Sequence, residues 1–455
     1  MNSIRHTIHE LGRDIPVILE TDICVVGGSC TGVFAAVRAA RLGAKVAIIE
    51  KHNCFGGVAT SGNVNIWHSL RDTTGQRPII SGLTLEVIER LKKRDAVTET
   101  GDCINAYQLN TEELKIELDE LIMEHRITPF LHTFYAAPIM DGPTIQAIVI
   151  ENKNGRQAIR ARYFVDASGD ADLALDLGLP SYASESMQPP TTCSKIQGLD
   201  RLGTFDWQAA VREHGEEFGL KNDYGWGTAI PHLSDIQLRA DTHVFGTDTS
   251  DGDQLSKAEI EGRRQVRAIM DVIRKYGPAG TEVTLVDLAA TIGARETRRI
   301  AAAYRITGDD VLCGRPFPDT IANGSYRVDI HHSDGSGITF RYLDGTEAIM
   351  GERGQPPRIG RWREPLAENP TYYQIPFRSL VPGRVPNLIL AGRMLDADSL
   401  AFSAIRVMVN MNQTGEAAGV ACMMALENNS SISEVDPLAL RKKLVSGGSI
   451  LYGLS

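Results

Sequence analysis

The feature that most constrains this chain is a glycine-rich turn between two apolar runs near its N-terminus. The run Ile23–Val26 leads into the turn at residues 27–32, and a second run, Val46–Ile49, ends on Glu50. Small and apolar residues at helical spacing fill the segment between them, which Gly43 ends. This order of strand, glycine turn, helix, strand and acid predicts a parallel β-α-β unit that binds a dinucleotide.

Each element of the turn has a physical role. Gly27 permits the tight turn, Gly32 permits close packing of helix on strand, and the helix N-terminus offers N–H groups to a pyrophosphate. Glu50 lies where a carboxylate accepts hydrogen bonds from a ribose. Ser29 stands where the usual pattern has a second glycine, so its Cβ crowds the phosphate while its hydroxyl can donate to it. The alternative is an ordinary glycine turn in an α/β protein.

Charge and composition exclude several classes of protein. A formal net charge of -10 and the lack of a basic stripe argue against a nucleic-acid partner. No stretch of about 18 uncharged apolar residues is present, so no membrane span is expected, and the first residues lack the apolar core of a signal peptide. A chain of 455 residues predicts two domains or one core with a large insertion.

The cysteines indicate a reducing compartment. There are seven, scattered and without a CxxC pair, which fits neither a zinc site nor a disulfide framework. We therefore expect reduced thiols in a cytoplasmic protein. Cys30 and Cys54 lie close to the predicted nucleotide, where a structural role is favoured over a redox role.

The segment after the first unit is predicted to return to the same sheet. A helix is expected after an Asn110 cap, followed by strands within 128–136, 145–151 and 158–165. The last strand leads into an acid-rich glycine turn at 166–172. Metal binding is one interpretation of these carboxylates, disfavoured because no histidine is nearby.

From about residue 200 the helical and strand periodicity weakens. One helix stands out, with Ser256 and Glu259 as a capping box, a buried face that includes Ile260 and Ile273, and a stop at Gly277. The weak pattern on either side of it predicts a separate, inserted region.

Regular periodicity resumes from Tyr372. Residues 387–391 read as a buried strand, and 403–426 as a long segment of small residues. Gly415 and Gly419 in that segment allow close backbone packing against the first β-α-β unit. The C-terminal residues are therefore predicted to complete the nucleotide domain.

Nine segments in chain order resemble the FAD-dependent oxidoreductase family of the glutathione-reductase-like flavoprotein superfamily. They include VVGGSCTG, FGGVATSG, FVDASGDADLA, IPFRSLVP and NLILAGRMLDAD. The resemblance implies an α/β fold: a Rossmann-like FAD-binding domain of discontinuous segments, plus an inserted α+β substrate domain on an antiparallel sheet. The expected division is an N-terminal arm (1–20), the first FAD-binding part (21–200), the inserted substrate or cap domain (201–371), the closing FAD-binding part (372–430) and a C-terminal tail (431–455).

The resemblance also implies FAD as the cofactor and indicates which residues hold it. The first glycine turn takes the pyrophosphate, Glu50 the adenosine ribose, and the loop at 56–57 passes near the flavin. The strand at 132–135 borders the adenine, and the segment 392–403 flanks the isoalloxazine. The implied cofactor-binding residues are Gly27, Gly28, Ser29, Thr31, Gly32, Glu50, Lys51, Gly56, Gly57, Thr60, Phe134, Ala167, Ser168, Gly169, Gly392, Arg393, Ser403 and Ile405.

The sequence thus predicts an FAD-dependent dehydrogenase or oxidase that takes a hydride from a small organic substrate to flavin N5. The alternatives are an NAD(P)H-dependent flavin monooxygenase or reductase, an NAD-only dehydrogenase, and a non-catalytic protein with a structural flavin. Oxygen, a quinone and NAD(P) all stay open as electron acceptor, and a homo-oligomer is compatible with the sequence.

Two histidines are candidate catalytic bases. His331 and His243 are chosen because imidazole titrates near neutral pH. The alternative for each is a structural histidine in a strand.

Two arginines are candidate catalytic cations. Arg295 can clamp a substrate carboxylate, and Arg406 adds positive charge beside a helix N-terminus that is expected to point at the flavin. The alternatives are a solvated helix face that pairs Arg295 with Glu296, and an ion pair from Arg406 to Asp396 or Asp398.

Overall fold

The computed structural model describes residues 7–10, 12–102, 104–221, 223, 225–333, 335, 337–351 and 355–453. Cys103, one of the expected reduced thiols, lies outside this range, as do Met1–His6 of the predicted N-terminal arm.

The elements of the described residues are as follows. The strands are β1 (Val17–Val26), β2 (Val46–Ile49), β3 (Ile66–Trp67), β4 (Val97–Glu99), β5 (Tyr107–Leu109), β6 (Thr128–Phe130), β7 (Phe134–Asp141), β8 (Thr144–Asn152), β9 (Gly155–Asp166), β10 (Ser181–Tyr182), β11 (Ser194–Gln197), β12 (Trp226–Ile230), β13 (Leu233–Ala240), β14 (Thr284–Leu288), β15 (Arg299–Ile300), β16 (Thr320–Gly324), β17 (Val328–His331), β18 (Ile338–Arg341), β19 (Thr346–Met350), β20 (Arg358–Arg361), β21 (Tyr373–Pro376) and β22 (Leu388–Leu390). The α-helices are α1 (Cys30–Arg41), α2 (Leu83–Lys92), α3 (Thr111–Glu124), α4 (Asp172–Asp176), α5 (Trp207–His214), α6 (Gly252–Tyr276), α7 (Gly308–Leu312), α8 (Ser399–Ile405), α9 (Met408–Asn428) and α10 (Pro437–Ser446).

A seven-stranded sheet organises the nucleotide-binding part of the molecule. Its order is β6-β2-β1-β9-β8-β7, and β22 pairs with the far end of β9. Strands β6, β2, β1, β9 and β22 are parallel, whereas β8 pairs antiparallel with both β7 and β9. Because α1 joins two adjacent parallel strands, the predicted β-α-β unit is confirmed.

Helix α9 completes this part from the other end of the chain. A Cβ placed on Gly415 would lie 2.0 Å from the carbonyl oxygen of Thr31, and one on Gly419 would lie 2.2 Å from that of Ala35. Both acceptors belong to α1, so the backbones of the two helices touch where these glycines lie. The predicted close packing of this segment on the first β-α-β unit is confirmed.

Two four-stranded antiparallel sheets form the middle of the chain, in the orders β12-β13-β11-β14 and β17-β18-β19-β20. Helix α6 packs on the first of them through Ile269, Met270 and Ile273, which share a core with Ile196 of β11. The predicted α/β fold with an inserted antiparallel part is confirmed. Strand β11 precedes residue 200, the expected boundary, yet it pairs with β13 and β14 of the insert.

The N-terminus of α6 was predicted wrongly. The helix begins one turn earlier than expected, because Asp251 caps it and its carboxylate accepts a hydrogen bond from the Gln254 amide at 2.9 Å. The Ser256 hydroxyl instead donates to the Gly252 carbonyl within the helix. Ile260 is 66% exposed rather than buried.

Two segments that the sequence predicts to be continuous are each divided between two elements in the structure. The strand expected within 128–136 is two strands, β6 and β7, separated by a bend at His132, where φ is +49°. The segment 403–426 contains the end of α8 and most of α9, with Arg406 at the junction. At the N-terminus, residues 17–20 of the expected arm extend β1 and pair with β9.

The described residues contain no helix with the length and apolar character needed to cross a bilayer. The six described cysteines are free thiols, five of them buried.

Candidate active site

One cavity of about 380 Å³ joins the carboxyl ends of the parallel strands to the inserted region. Its wall comes from several separate parts of the chain, which include the glycine turn after β1, the loop after β2, the acid-rich turn after β9, the segments that border β11, β14 and β17, and the junction of α8 with α9. In open parallel sheets, ligands bind at this edge, so the cavity is the candidate active site.

The glycine turn has the close contacts that the sequence predicts. Gly27 has a φ of +101°, and a Cβ there would lie 2.4 Å from the Ala167 carbonyl oxygen. A Cβ on Gly32 would lie 1.9 Å from the Gly27 carbonyl oxygen. Larger residues at either position would push α1 away from the sheet.

The side chain of Ser29 is accommodated by a glycine elsewhere in the sequence. Its Oγ accepts a hydrogen bond from the Gly32 amide at 3.4 Å and so caps α1. The loop at 56–57 crosses beside it, with the Gly56 amide donating to the Gly28 carbonyl at 2.8 Å. A Cβ on Gly57 would lie 2.9 Å from the Cβ of Ser29. The Ser29 side chain therefore fits only because residue 57 is a glycine.

Glu50 is buried at the end of β2 and orders the turn next to it. Its Oε2 accepts from the Gly28 amide at 2.7 Å, and its Oε1 accepts from the His52 amide at 2.9 Å. Each oxygen keeps a further lone pair for a ligand hydroxyl. The position and the hydrogen bonds fit the predicted ribose contact.

The acid-rich turn after β9 supports the cavity through its own hydrogen bonds. Asp166 accepts from the amides of Ser168 and Ala174, and burial raises its pKa. Burial alone would raise the pKa of Asp170, but Arg393 and Lys51 lower it, and Arg393 forms an ion pair with it. The described residues contain no group of three or more histidine, cysteine or acidic side chains that could hold a metal ion.

An amide without a partner lies in the cavity wall at the start of α9. Both polar atoms of the Asn412 side chain are buried and lack a hydrogen-bond partner in the structure. Gly392 lines the same cavity, with a φ of +103° and its amide donating to the Thr414 hydroxyl at 3.0 Å. A buried amide is stable only when a polar group meets it. Together with the glycine turn after β1, the Asn412 side chain therefore fits a cofactor that has a polar ring edge.

The inserted region contributes a cluster of charged side chains. The Arg406 guanidinium donates to Asp329 at 3.2 Å and to the Gln188 side chain at 3.0 Å, and the Tyr326 hydroxyl donates to Asp329 at 3.0 Å. The alternative ion pairs for Arg406 are wrong. Asp396 pairs with Arg305, and the Asp398 carboxylate caps α8.

Arg295 lies in an extended segment rather than on a solvated helix face. Its Nη1 donates to the Pro189 carbonyl and the Thr191 hydroxyl, both at 2.5 Å. The expected alternative partner, Glu296, forms its ion pair with Arg299 at 3.2 Å instead. Burial and Arg406 lower the pKa of Arg295 to about 10, so it is charged at neutral pH.

Two histidines of the cavity wall are held neutral. Burial, Arg295 and the neighbouring His243 lower the pKa of His331 well below its usual value. Burial and Arg327 lower the pKa of His68 to about 4. The Nε2 of His331 lies 3.5 Å from a carboxylate oxygen of Asp329. A neutral imidazole beside a carboxylate can accept a proton and be stabilised in its charged form.

The cavity brings together most of the residues that the sequence selected. Those in its wall are Gly27, Ser29, Thr31, Glu50, Lys51, Gly56, Gly57, Ala167, Ser168, Gly169, Arg295, His331, Gly392, Arg393 and Arg406.

The other selected residues lie outside the wall for identifiable reasons. Thr60 donates its hydroxyl to the Phe55 carbonyl, and the hydroxyl of Ser403 is bound by Ser399 and Gln188. Ile405 is part of the hydrophobic core. The side chain of Phe134 is 58% exposed.

Three further selected residues lie behind the wall. Gly28 and Gly32 support the turn through the contacts described above. His243 lies behind His331, with ring centroids 4.8 Å apart, and forms an ion pair with Asp223. It lines a second, smaller pocket.

Sequence reasoning missed Asp329, Tyr326, Arg327, His68 and Asn412, which also line the cavity. A signal for two of them was present, because Arg327 and Asp329 alternate with the selected His331 along one stretch and therefore share a face of β17 and the residue before it. The sequence around His68 and around Asn412 contains no pattern that would have identified either residue as part of the site.

The family profile described as FAD dependent oxidoreductase matches residues 22–444. Mitochondrial dihydrolipoyl dehydrogenase from Schizosaccharomyces pombe is 33% identical over 87 residues, a match that spans only 17% of that relative's length and 17% of this chain.

Solved structures with a related backbone include a geranylgeranyl bacteriochlorophyll reductase-like protein from Thermoplasma acidophilum. It is 11% identical with a TM-score of 0.46, over 94% of this chain and 83% of that one. A flavin-dependent brominase variant is 12% identical with a TM-score of 0.44, over 94% of this chain and 84% of that one.

Proposed function

The chain belongs to the FAD-dependent oxidoreductase family, and we propose that it oxidises a small organic substrate bound between the glycine turn and the inserted region. FAD, when bound, supplies the acceptor for a hydride at N5 of its flavin. One observation carries the proposal: a single cavity runs from the nucleotide-binding turn to the cluster of Arg295, His331 and Arg406.

The nucleotide part of the cofactor would be held by the turn and its neighbours. Ser29 and Thr31 at the start of α1 offer donors to the pyrophosphate, and the Glu50 carboxylate accepts from the ribose. Asn412 supplies one donor and one acceptor to the polar edge of the ring system. In this proposal residues 21–200 and 372–430 hold the cofactor, and most of 201–371 selects the substrate.

His331 would act as the general base. Removal of a hydride from carbon leaves an O–H or N–H proton that must go to an acceptor, and neutral His331 is available for it. Asp329, 3.5 Å from its Nε2, would stabilise the imidazolium that forms. Arg406 and Tyr326 hold Asp329 in place.

The absorbance spectrum of the purified protein tests the cofactor assignment. We expect the two visible bands of a bound flavin, and release of FAD rather than FMN on denaturation. Rapid mixing with candidate alcohols, amines and acids without oxygen should bleach the longer-wavelength band for one substrate class. A colourless protein that takes up no FAD would overturn the proposal.

The monooxygenase or reductase alternative makes a different prediction in the same experiment. NADH or NADPH would then bleach the flavin faster than any organic donor. A flavin that no donor reduces would favour a structural cofactor.

A further inference from the structure

The inserted end of the cavity carries an arginine whose charge no carboxylate of the described residues pairs. The hydrogen bonds of Arg295 go to a backbone carbonyl and a threonine hydroxyl, both neutral. It is partly buried, and its accessible surface lies in the cavity wall. A cation in such a place costs free energy unless an anion reaches it.

Asp329, the one carboxylate that the described residues place in this part of the wall, is already neutralised. It forms an ion pair with Arg406 and accepts a hydrogen bond from Tyr326. The charges of Asp329 and Arg406 therefore offset each other, and neither of them neutralises Arg295.

The free edge of Arg295 has a definite shape. Both of its hydrogen bonds use Nη1, so Nε and Nη2 make none within the described part of the chain. These two N–H groups form a planar fork that matches the two oxygens of a carboxylate. One unpaired guanidinium neutralises one negative charge, which favours a carboxylate over a dianionic phosphate.

Apolar side chains also line this cavity. They are Val64, Ile66, Trp226, Ile338 and Phe340. Such side chains favour a ligand with an aliphatic or aromatic body.

We propose that the substrate is a small monocarboxylate with an apolar body, clamped through both oxygens by Nε and Nη2 of Arg295. This inference rests on the proposed function, since it names the substrate class of the same cavity. The clamp would fix the position of the carboxylate in the cavity and so orient the rest of the substrate.

Benzoate and benzamide test the proposal, because they share a shape and differ in charge. Each is titrated into the FAD-loaded protein, with the flavin absorbance and the thermal midpoint as readouts. We expect benzoate to perturb the flavin spectrum and raise the midpoint, and benzamide to bind at least tenfold more weakly. Equal binding of the two compounds would overturn the proposal, as would tighter binding of inorganic phosphate or sulfate than of benzoate.

Two variants locate the effect. Arg295→Ala should weaken benzoate binding about 10–100-fold with unchanged FAD content, and Arg295→Lys should recover only part of it because it lacks the fork. The matched control is Arg298→Ala, three residues along the same segment, where the guanidinium donates to the Ser250 carbonyl and lies outside the wall. Benzoate binding that Arg295→Ala leaves intact would overturn the clamp. If the alanine variant does not fold, the wild-type comparison of benzoate with benzamide still decides the charge requirement. Loss of the flavin from the wild type would instead refute the proposed function.

Discussion

The two ends of the cavity are lined by different parts of the chain's residues: backbone at one end and long side chains at the other. At the nucleotide end, the wall is backbone and small side chains, and glycines at 27, 32 and 57 lie where a Cβ would come within 3 Å of another atom. At the substrate end, the wall is made of long charged and aromatic side chains such as Arg295, Arg406 and Tyr326. Much of the first end lies within residues 27–58, with additions from the turn after β9 and from α9. The second end comes from segments that are all far apart in the chain.

This difference separates two kinds of failure. A change at the nucleotide end moves backbone and so threatens cofactor binding and stability together. A change at the substrate end removes a side chain and leaves the backbone in place, so the cofactor stays bound while chemistry or ligand binding is lost. The following variants test whether the two ends are separable in this way.

The largest expected effect is at the substrate end. His331→Ala removes the proposed base, so the rate of flavin reduction by the substrate should fall about 10²–10⁴-fold. FAD content should equal that of the wild type, because His331 is not part of the turn. Anaerobic stopped-flow absorbance measures the rate. A reduction rate within threefold of the wild type would remove His331 from its role.

The next effect is at the contact between α1 and α9. Gly415→Ala places a methyl group 2.0 Å from a backbone oxygen, and neither helix can move without its neighbours. We expect a loss of about 3 kcal/mol of unfolding free energy and weaker FAD binding, measured by denaturant titration. Gly252→Ala is the control, because an added methyl there meets no atom within 4 Å. Equal stability of the two variants would contradict the close packing of the helices.

A smaller effect is expected at the ribose position. Glu50→Ala removes the acceptor for the Gly28 and His52 amides, so FAD should bind about 10-fold more weakly. Substrate reduction of the protein that is still loaded should keep its rate. Fluorescence titration of the apoprotein measures the affinity. The matched comparison is Phe134→Ser, whose exposed side chain lies outside the cavity; an equal loss there would restore Phe134 to the cofactor site.

The smallest effect concerns pH. The folded protein holds the pKa of His68 at about 4, against about 6.5 in an unfolded chain. Between these values the unfolded chain binds the proton and the folded chain does not, so the stability contribution present above pH 6.5 falls as the pH is lowered. His68→Gln should therefore gain about 1 kcal/mol relative to the wild type between pH 8 and about pH 6. A difference between the two proteins that does not change with pH would show that His68 is accessible to protons when folded.

The nucleotide end of the cavity could be predicted from the sequence more fully than the substrate end. The glycine turn and Glu50 were found from sequence because a β-α-β unit needs these residue types at this spacing. The small residues of α9 were found because their spacing places them on one side of a helix. The start of α6 was missed because two residues that can cap a helix, Asp251 and Ser256, lie within five residues of each other, and the helix begins at the first.

The substrate end could be predicted only in part. His331, Arg295 and Arg406 were selected by residue type, but their partners were wrong for both arginines. An ion pair between side chains that are far apart in the chain produces no repeating pattern in the sequence. Asp329 could have been found from its alternation with His331, whereas the amide of Asn412 has meaning only because the cavity surrounds it.

The sequence by itself determined that a β-α-β unit with a glycine turn and a terminal acid forms, because those features depend on neighbours within about 30 residues. It also determined that α9 could lie against that unit, since glycine spacing on a helix is a local property. Only the tertiary structure decided that Arg295 keeps an unpaired edge, that His331 is neutral and that both share a wall with the glycine turn. The physical reason is that burial and long-range charge set these properties, and both depend on which distant segments the fold places side by side.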